Sequence, residues 1–527
     1  MQTSMSNLFK LLQCIVVKRG GFLLMASGIA LLSACSGGGG GGGGPAGGNK
    51  AGAPVTSNLS GSVADKNGVP IPGVTITIYS NNNNTAVTTT TDAAGAYSIS
   101  DLSTGTYSDY SIYAEKAGFG FYPSVGDAAG SVAKEDFNGY YRTVIRFLFM
   151  PTHDVSSANF IASRPGDKQA SLPRTGQTIS YAIGDDYSVR AGVAWPGTRF
   201  VDNGDGTVTD HLTGLVWLKN AGCFNQTDWP TALTAANQLA SGSCGLTDGS
   251  VKGQWRMPNI NELESLVDVS QTSPAVSAGA PFTNIALTNA YWSSTTYTAG
   301  PGNAMAIRFT DGRWINGADA GDGSYSNTKA TSANSLWAVR SGGAGLIQLL
   351  ATGVFSGQGG GSGLSFGIGD DASLQIGAPL TSPRFIDKGD GTLADTVTGL
   401  IWLKKADCIN QSWSSALVTI NSLANGQCGL TDGSTAGQWR MPNRSEMLSL
   451  SDRAPTFPQA NYFNGIPGPD GITVINPVIF NNFRVSDYYW TSTTSVTDTT
   501  QAWTVYSCDF GVYNIAKTNV RYSLAVR

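Results

Sequence analysis

Two hydrophobic periods alternate along this chain. Apolar and polar positions alternate by twos through Gly61-Ser-Val-Ala-Asp65 and Gly73-Val-Thr-Ile-Thr-Ile-Tyr79, which predicts strands. Lys66-Asn67-Gly68 and Asn81–Asn84 supply the turn residues between such strands. Further along, Ala-rich stretches with apolar residues spaced near 3.6 predict amphipathic helices over Trp229–Leu239 and Trp413–Leu423. Asn259 followed by Glu262, and Asn443 followed by Glu446, have capping-box spacing. Each should start a short helix, one burying Leu263 and Leu266, the other Met447 and Leu450. Strands are expected at Val208–Asp210, Leu215–Trp217, Tyr291–Thr296, Ala304–Phe309 and Trp337–Arg340, with partners at Leu393–Asp395 and Leu400–Trp402.

The partners exist because the pattern is written twice. Arg199–Lys219 returns as Arg384–Lys404, Gly253–Asn259 as Gly437–Asn443, Tyr291–Thr296 as Tyr489–Thr494, and Trp337–Arg340 as Leu524–Arg527. The period is far longer than the roughly 20–50 residues of a solenoid unit and fits a duplicated domain. Each copy opens with Gly-Asp-Asp, at Gly184–Asp186 and Gly369–Asp371. The resulting division is a signal at 1–35, a Gly-rich tether at 36–53, a β-module at 54–150, copy one at 165–342, a Gly-rich linker at 343–363 and copy two at 364–527.

The N-terminus bears on the compartment. Lys10, Lys18 and Arg19 precede an apolar run from Phe22 to Leu32, which ends in Leu32-Ser33-Ala34-Cys35. A basic start, a short apolar run and a small-residue cleavage site read as a secretory signal, and the run is too short to span a bilayer. Leu-Ser-Ala-Cys resembles the lipobox of bacterial lipoproteins. The resemblance implies acylation of Cys35, an anchor in the outer membrane, and Ser36 rather than Asp as the residue that directs it there. The unbroken run Gly37–Gly44 then reads as a tether, with a reach of roughly 20–25 Å for about 18 residues.

Composition narrows the function. Only 13% of residues are charged and Gly numbers 67, which suits strand- and turn-rich extracytoplasmic domains. The net charge is −4, and residues 1–35 hold bases but no acid, so the remainder is more acidic still. That argues against a nucleic-acid partner. Of seven Cys, Cys14 falls in the signal and Cys35 is the expected lipid site. Cys223 and Cys244 occupy the same places in copy one as Cys408 and Cys428 in copy two, so one disulfide is expected inside each copy. Each would close a loop of about 20 residues, worth roughly 3 kcal/mol in the chain-entropy picture. Zinc is the weaker alternative, because the spacing is wrong and no His is near. Cys508 aligns with Thr310 and reads as a semi-buried free thiol, with intermolecular pairing as the alternative.

Two family resemblances follow from these blocks. Gly61-Ser-Val-Ala-Asp65, Thr91-Asp92-Ala-Ala-Gly95-Ala-Tyr97, Leu102-Ser-Thr-Gly105-Thr-Tyr107 and Lys116-Ala-Gly118-Phe119 resemble the carboxypeptidase regulatory-like, transthyretin-like domain. That implies a β-sandwich acting as spacer or binding accessory. The duplicated Asp-x-Gly-Asp-Gly-Thr, Thr-Gly-Leu-x-Trp, Trp-Arg-Met-Pro-Asn-x-x-Glu and Tyr-Trp-x-Ser-Thr-Thr blocks resemble the Lcl C-terminal domain family. The Trp-Arg-Met-Pro-Asn-x-x-Glu segment is also similar to one in formylglycine-generating enzymes. The implied architecture is multidomain, a β-sandwich followed by two α+β C-type-lectin-like domains. The implied role is surface adhesion to glycan or extracellular matrix; the alternative is a periplasm-facing scaffold lipoprotein with a protein partner.

Catalysis is not expected. His153 lies outside the copies and His211 aligns with Thr396, so no duplicated His-dependent site exists, and no hydrolase or metalloprotease motif appears. No cofactor is implied. Asp202 and Asp205, with Asp387 and Asp390, are weak calcium candidates, since acids at positions 1 and 4 do not fit an EF-hand loop and an Asp/Gly hairpin turn accounts for them. Trp217, Trp255, Trp292, Trp402, Trp439 and Trp490 read as core. Arg256 and Arg440 read as partners of Glu262 and Glu446. Arg313 and Trp314, in a polar turn, and Tyr513, aligned with Trp314, are the expected exposed ligand contacts. Lys404, Lys405, Arg440, Arg444 and Arg453 are the candidate basic patch for a sulfated glycan.

Overall fold

The computed structural model describes residues 56–82, 85–103, 108–124, 130–137, 140–149, 158–163, 170–224, 226–297, 300–315, 327–354, 369–453, 479–484 and 486–527. Cys35 and the tether lie outside these residues. Among the described residues, no helix is long and apolar enough to cross a membrane.

The N-terminal alternation folds as expected into two packed sheets. One has four strands in the order Ala96–Ser103, Thr56–Asp65, Asn159–Ser163, Gly120–Ser124. The other has five, in the order Thr85–Thr90, Thr75–Ser80, Ser108–Glu115, Tyr140–Phe149, Gly130–Phe137. Inward-facing Leu59, Val63, Ile76, Ile78, Ile112 and Phe160 form the core between them. The strand Asn159–Ser163 extends the module past the expected limit of 150 by pairing parallel to Val63–Asp65. Its alternation of Phe160 and Ala162, both buried, is too short to register as a strand in sequence. The module also touches copy two: Phe121 bridges to Ser382, and Ser163 Oγ donates to the Thr396 carbonyl at 2.8 Å.

Each copy begins with an antiparallel meander. In copy one it is Phe200–Asp202, Thr207–Asp210 and Leu215–Leu218, closed by Val339–Ser341; in copy two it is Phe385–Asp387, Thr392–Asp395 and Ile401–Leu403. Each copy also has a second sheet. In copy one its order is Tyr291–Thr296, Ala304–Arg308, Arg313–Ile315. In copy two it is Ile409–Gln411, Arg521–Ser523, Tyr488–Thr494, Gln501–Tyr506, Val512–Ala516.

Six helices stand among the described residues: α1 (Asp186–Val189), α2 (Trp229–Gln238), α3 (Ile260–Ser265), α4 (Asp371–Leu374), α5 (Trp413–Asn421) and α6 (Arg444–Ser449). In α2 the Asp228 carboxylate caps the first turn and Trp229, Ala232, Leu233 and Ala236 are the buried stripe. Both capping boxes form, with Asn259 and Glu262 on α3 and Asn443 and Glu446 on α6 each accepting from the other's backbone N–H. The disulfides Cys223–Cys244 and Cys408–Cys428 are present as expected.

The six repeated Trp are fully buried. One apolar cluster runs unbroken from Phe200 and Trp217 in copy one to Trp402 and Val526 in copy two. The copies therefore share a core rather than hang as separate beads. The single turns α1 and α4 were not expected from the sequence, because four residues show no period. Each follows an N-capping aspartate, Asp185 or Asp370, and ends on a left-handed residue, Arg190 or Gln375.

Candidate functional site: the junction of the copies and a tyrosine face

The residues expected to form a basic, aromatic ligand surface are scattered, and three of them are buried. Arg444, the first residue of α6, is 1% exposed. Its guanidinium holds Glu264 of α3 through two bonds of 2.9 Å, donates to the Gly312 carbonyl, and lies over the Trp503 ring at 4.3 Å. Trp314 is 2% exposed, and its indole N–H donates to the same Glu264 carboxylate. Arg453 is buried over the Trp314 ring at 4.7 Å and donates to the Asp509 carbonyl; burial pulls its guanidinium down to about 10. These side chains make the seam between the copies, not a ligand surface. Their burial follows from pairing: charged groups leave water when an opposite charge and fixed dipoles wait for them.

The remaining candidates are surface groups with local partners. Lys404 pairs with Asp387 at 2.5 Å, as Lys219 does with Asp202 at 2.6 Å. Lys405 is exposed. Arg313 is half-buried, 3.9 Å from Asp311, whose carboxylate also holds Arg308. Arg440 pairs with Glu446, and Arg256 with Glu262, as expected. Among the calcium candidates, Asp202 and Asp387 each accept from the Gly N–H two residues on, while Asp205 and Asp390 each accept the amide and hydroxyl of a threonine. The bond from Lys219 holds Asp202 below the usual carboxylate range. Among the described residues, no group of three His, Cys, Asp or Glu is placed to hold a metal. Cys508 is 1% exposed, buried rather than semi-buried, with its Sγ 3.3 Å from the Ser486 hydroxyl.

Strand register corrects one alignment. Ile307 pairs with Trp314 in copy one, whereas Val505 pairs with Val512 in copy two. Trp314 therefore matches Val512, and Tyr513 takes the place of Ile315. Tyr513 is half-buried and belongs to a face the sequence did not reveal. Tyr488 and Tyr506 are directly opposed across two strands, with ring centroids 4.7 Å apart. Tyr513 stands edge-on to both, at 5.7 and 6.3 Å. Arg521 lies over Tyr488 at 5.5 Å, whereas Arg484, paired with Asp407 at 2.9 Å, lies over Tyr522 on the other face of the sheet, opposite Tyr489. Copy one carries Ala290, Arg308 and Ile315 at the three tyrosine positions, so this face belongs to copy two alone. That divergence between otherwise matched copies was the available signal.

The Gly-Asp-Asp segments occupy buried positions across the seam. Asp371, in the opening segment of copy two, accepts from Thr295 of copy one at 2.6 Å; Asp186, in the opening segment of copy one, accepts from Thr493 of copy two at 2.6 Å. Burial raises both carboxyls to about 6, against the threonine bonds that lower them. A cavity of about 70 Å³ lies beside the seam, with Trp195, Trp314, Leu350 and Arg444 in its wall.

The raised values fix the sign of a pH effect. A carboxyl at about 6 in the fold and near 3.9 unfolded binds its proton more tightly in the folded state. Stability is therefore gained as pH falls through 6 and levels off below about 4. Lys329, lowered to about 8 by burial, stays almost wholly charged from pH 5 to 7 and adds little slope there. Thermal midpoints of the full chain should rise between pH 7.5 and 5. Asp186→Asn with Asp371→Asn should flatten that rise; an unchanged slope would assign it elsewhere.

The Lcl C-terminal domain model matches residues 206–340 and 391–527, and the carboxypeptidase regulatory-like domain model matches residues 58–121. No curated protein matches the chain. Two solved structures show a slight likeness. One is the Bacillus anthracis TIE protein, at 14% identity over 21% of this chain and 17% of that chain, with a TM-score of 0.14. The other is invasin, a bacterial integrin-binding protein, at 11% identity over 90% of this chain and 99% of that chain, also with a TM-score of 0.14. Similarity that low carries no argument about fold or function.

Proposed function

This chain belongs to the Lcl C-terminal domain family and carries that domain twice behind a carboxypeptidase regulatory-like module, and from that premise we propose that it is a non-enzymatic, surface-anchored binding lipoprotein that recognises glycan. In this reading Cys35 carries the lipid and the glycine run lifts the domains away from an outer membrane whose outer face they occupy. The duplicated domains follow a C-type-lectin-like plan, and copy two makes the sugar contact. The observation that carries the proposal is the half-exposed Tyr488, Tyr506 and Tyr513 face with Arg521 over Tyr488 at its rim. Tyrosine rings offer flat apolar area with a polar tip, and the Arg521 guanidinium offers a fork-shaped donor to sulfate or carboxylate. The acidic whole gives no long-range pull on an anionic glycan, so recognition rests on contact.

The test is a glycan array with the full chain at two salt concentrations. Tyr506→Ala with Tyr513→Ala should weaken binding about tenfold or more, near 1.4 kcal/mol, and leave the thermal midpoint nearly unchanged. Array binding that survives this pair would move the site off this face. Absence of any glycan binding would favour the second reading, a periplasm-facing scaffold with a protein partner. That reading draws on the apolar side chains Ile179, Tyr181 and Ile183, exposed by 58%, 37% and 91%. Protease treatment of intact cells separates the two, since only an outward-facing chain is digested.

A further inference from the structure

Each copy holds a built receptor slot, and in both the occupant is the leading segment of the other copy. Residues 172–193 form a loop closed at its base by Arg174 N–H to the Val193 carbonyl and Val193 N–H to the Leu172 carbonyl. Residues 349–378 are closed in the same way, by Ala351 to Ala378 and Ala378 to Leu349. The base of the first loop rests on copy one, where Val269 N–H donates to Thr175, and the base of the second on copy two, where Arg453 N–H donates to Thr352. The tips cross over.

The crossed contacts match residue for residue. In copy one, Thr295 donates to Asp371, and the Asn259 side-chain amide donates to the Ile376 carbonyl at 3.1 Å. In copy two, Thr493 donates to Asp186, and the Asn443 amide donates to the Ala191 carbonyl at 3.3 Å. A lysine completes each slot, buried in copy one and half-buried in copy two. Lys329 bonds Thr296 and feels the charge of Asp370; Lys517 bonds Thr494 and feels that of Asp185. Each lysine also sits over a tryptophan, Trp229 at 4.1 Å or Trp413 at 4.0 Å. The slot thus binds the second of two successive aspartates by a threonine hydroxyl, with a lysine bonded to the next threonine beside it. In the occupant, Ser188 and Ser373 close the turn by donating their amides to Asp185 and Asp370.

We propose that each copy is a receptor for a Gly-Asp-Asp-x-Ser turn, and that a second copy of this chain supplies that turn when chains are concentrated. Every chain carries two slots and two turns, so exchange between chains replaces each lost contact with the same contact. That equivalence is the condition under which swapping costs little. Holding chains at high local concentration favours the exchanged form by mass action.

The test mixes two full-length variants. One has defective turns, Asp186→Ala with Asp371→Ala; the other has defective slots, Thr295→Val with Thr493→Val. Each alone should sediment as a monomer. Their equimolar mixture should show a species of twice the mass, because intact turns of one chain meet intact slots of the other. A peptide of residues 366–380 should dissolve it, and its Asp371→Ala form should not. A mixture that stays monomeric while both variants keep the near-ultraviolet dichroism of the parent overturns the proposal. So does a dimer formed by one variant alone, or one the peptide cannot compete. Asp186→Asn with Asp371→Asn, which keeps the carboxyl's shape, replaces the alanine pair should that pair not fold.

Discussion

Arg444→Ala should lower the stability of the two-copy unit by about 3–5 kcal/mol, the cost of breaking a buried ion pair by removing one partner. The Arg444 guanidinium is the larger half of the seam, with bonds to both Glu264 oxygens and to the Gly312 carbonyl, and with its face against Trp503. Its loss strands a carboxylate, leaves a void the size of a long side chain, and uncovers an indole. Glu264→Ala should cost less than Arg444→Ala in packing, yet strand a guanidinium that is 1% exposed and an indole N–H. The two should couple in a double-mutant cycle by well over 1 kcal/mol. Copy one has Ile260 where copy two has Arg444, and copy two has Leu448 where copy one has Glu264. Both of those residues are buried in the shared cluster. The seam therefore uses an ionic pair in one half and apolar residues in the other. Arg444→Ile with Glu264→Leu should recover most of the loss, because buried ion pairs exchange for apolar pairs at little net cost. Urea unfolding of the full chain reads all four values.

That asymmetry also explains what could be read from sequence. The copies, the capping boxes, the disulfides and the tryptophan core are local or periodic features, so their residues announce them: Asn259 and Glu262 sit at capping distance whatever surrounds them. The seam is not local. Arg444 and Trp314 lie in polar stretches, beside Asn443 and Ser445 and beside Asp311 and Arg313, where exposure is the ordinary expectation. Their burial depends on a partner in the other copy. A charge standing where the matched copy has isoleucine, with an opposite charge where the matched copy has leucine, was the trace it left. The crossing loops leave less, since α1 and α4 are single turns and the repeated Gly-Asp-Asp marks only that something is kept. The tyrosine face is legible only after strand register corrects the pairing of Trp314 with Tyr513.

Asp395→Ala should cost a similar 3–5 kcal/mol, for a reason hidden inside a motif that reads as a turn or an ion site. Asp395 is fully buried and takes the Arg384 guanidinium at 2.9 and 2.6 Å, the Val397 amide at 3.0 Å and the Thr398 hydroxyl at 2.7 Å. It thus ties the first strand of the meander to the turn that follows the second, and Arg384, itself 3% exposed, has no route to water once the carboxylate is gone. Asp210 does the same for Arg199 in copy one, where that guanidinium also reaches the Ser265 carbonyl at the end of α3. Asp387 is the internal control. It lies eight residues earlier in the same block, its side chain is 47% exposed, and its partner is Lys404. Exposed pairs of this kind contribute about 0–1 kcal/mol, so Asp387→Ala should scarcely move the urea midpoint. A large loss at Asp395 beside a negligible one at Asp387 is what a structural clamp with a solvated turn requires. A calcium loop would instead show both losses together and only when calcium is supplied, so the same pair of variants, unfolded with and without a chelator, decides between them.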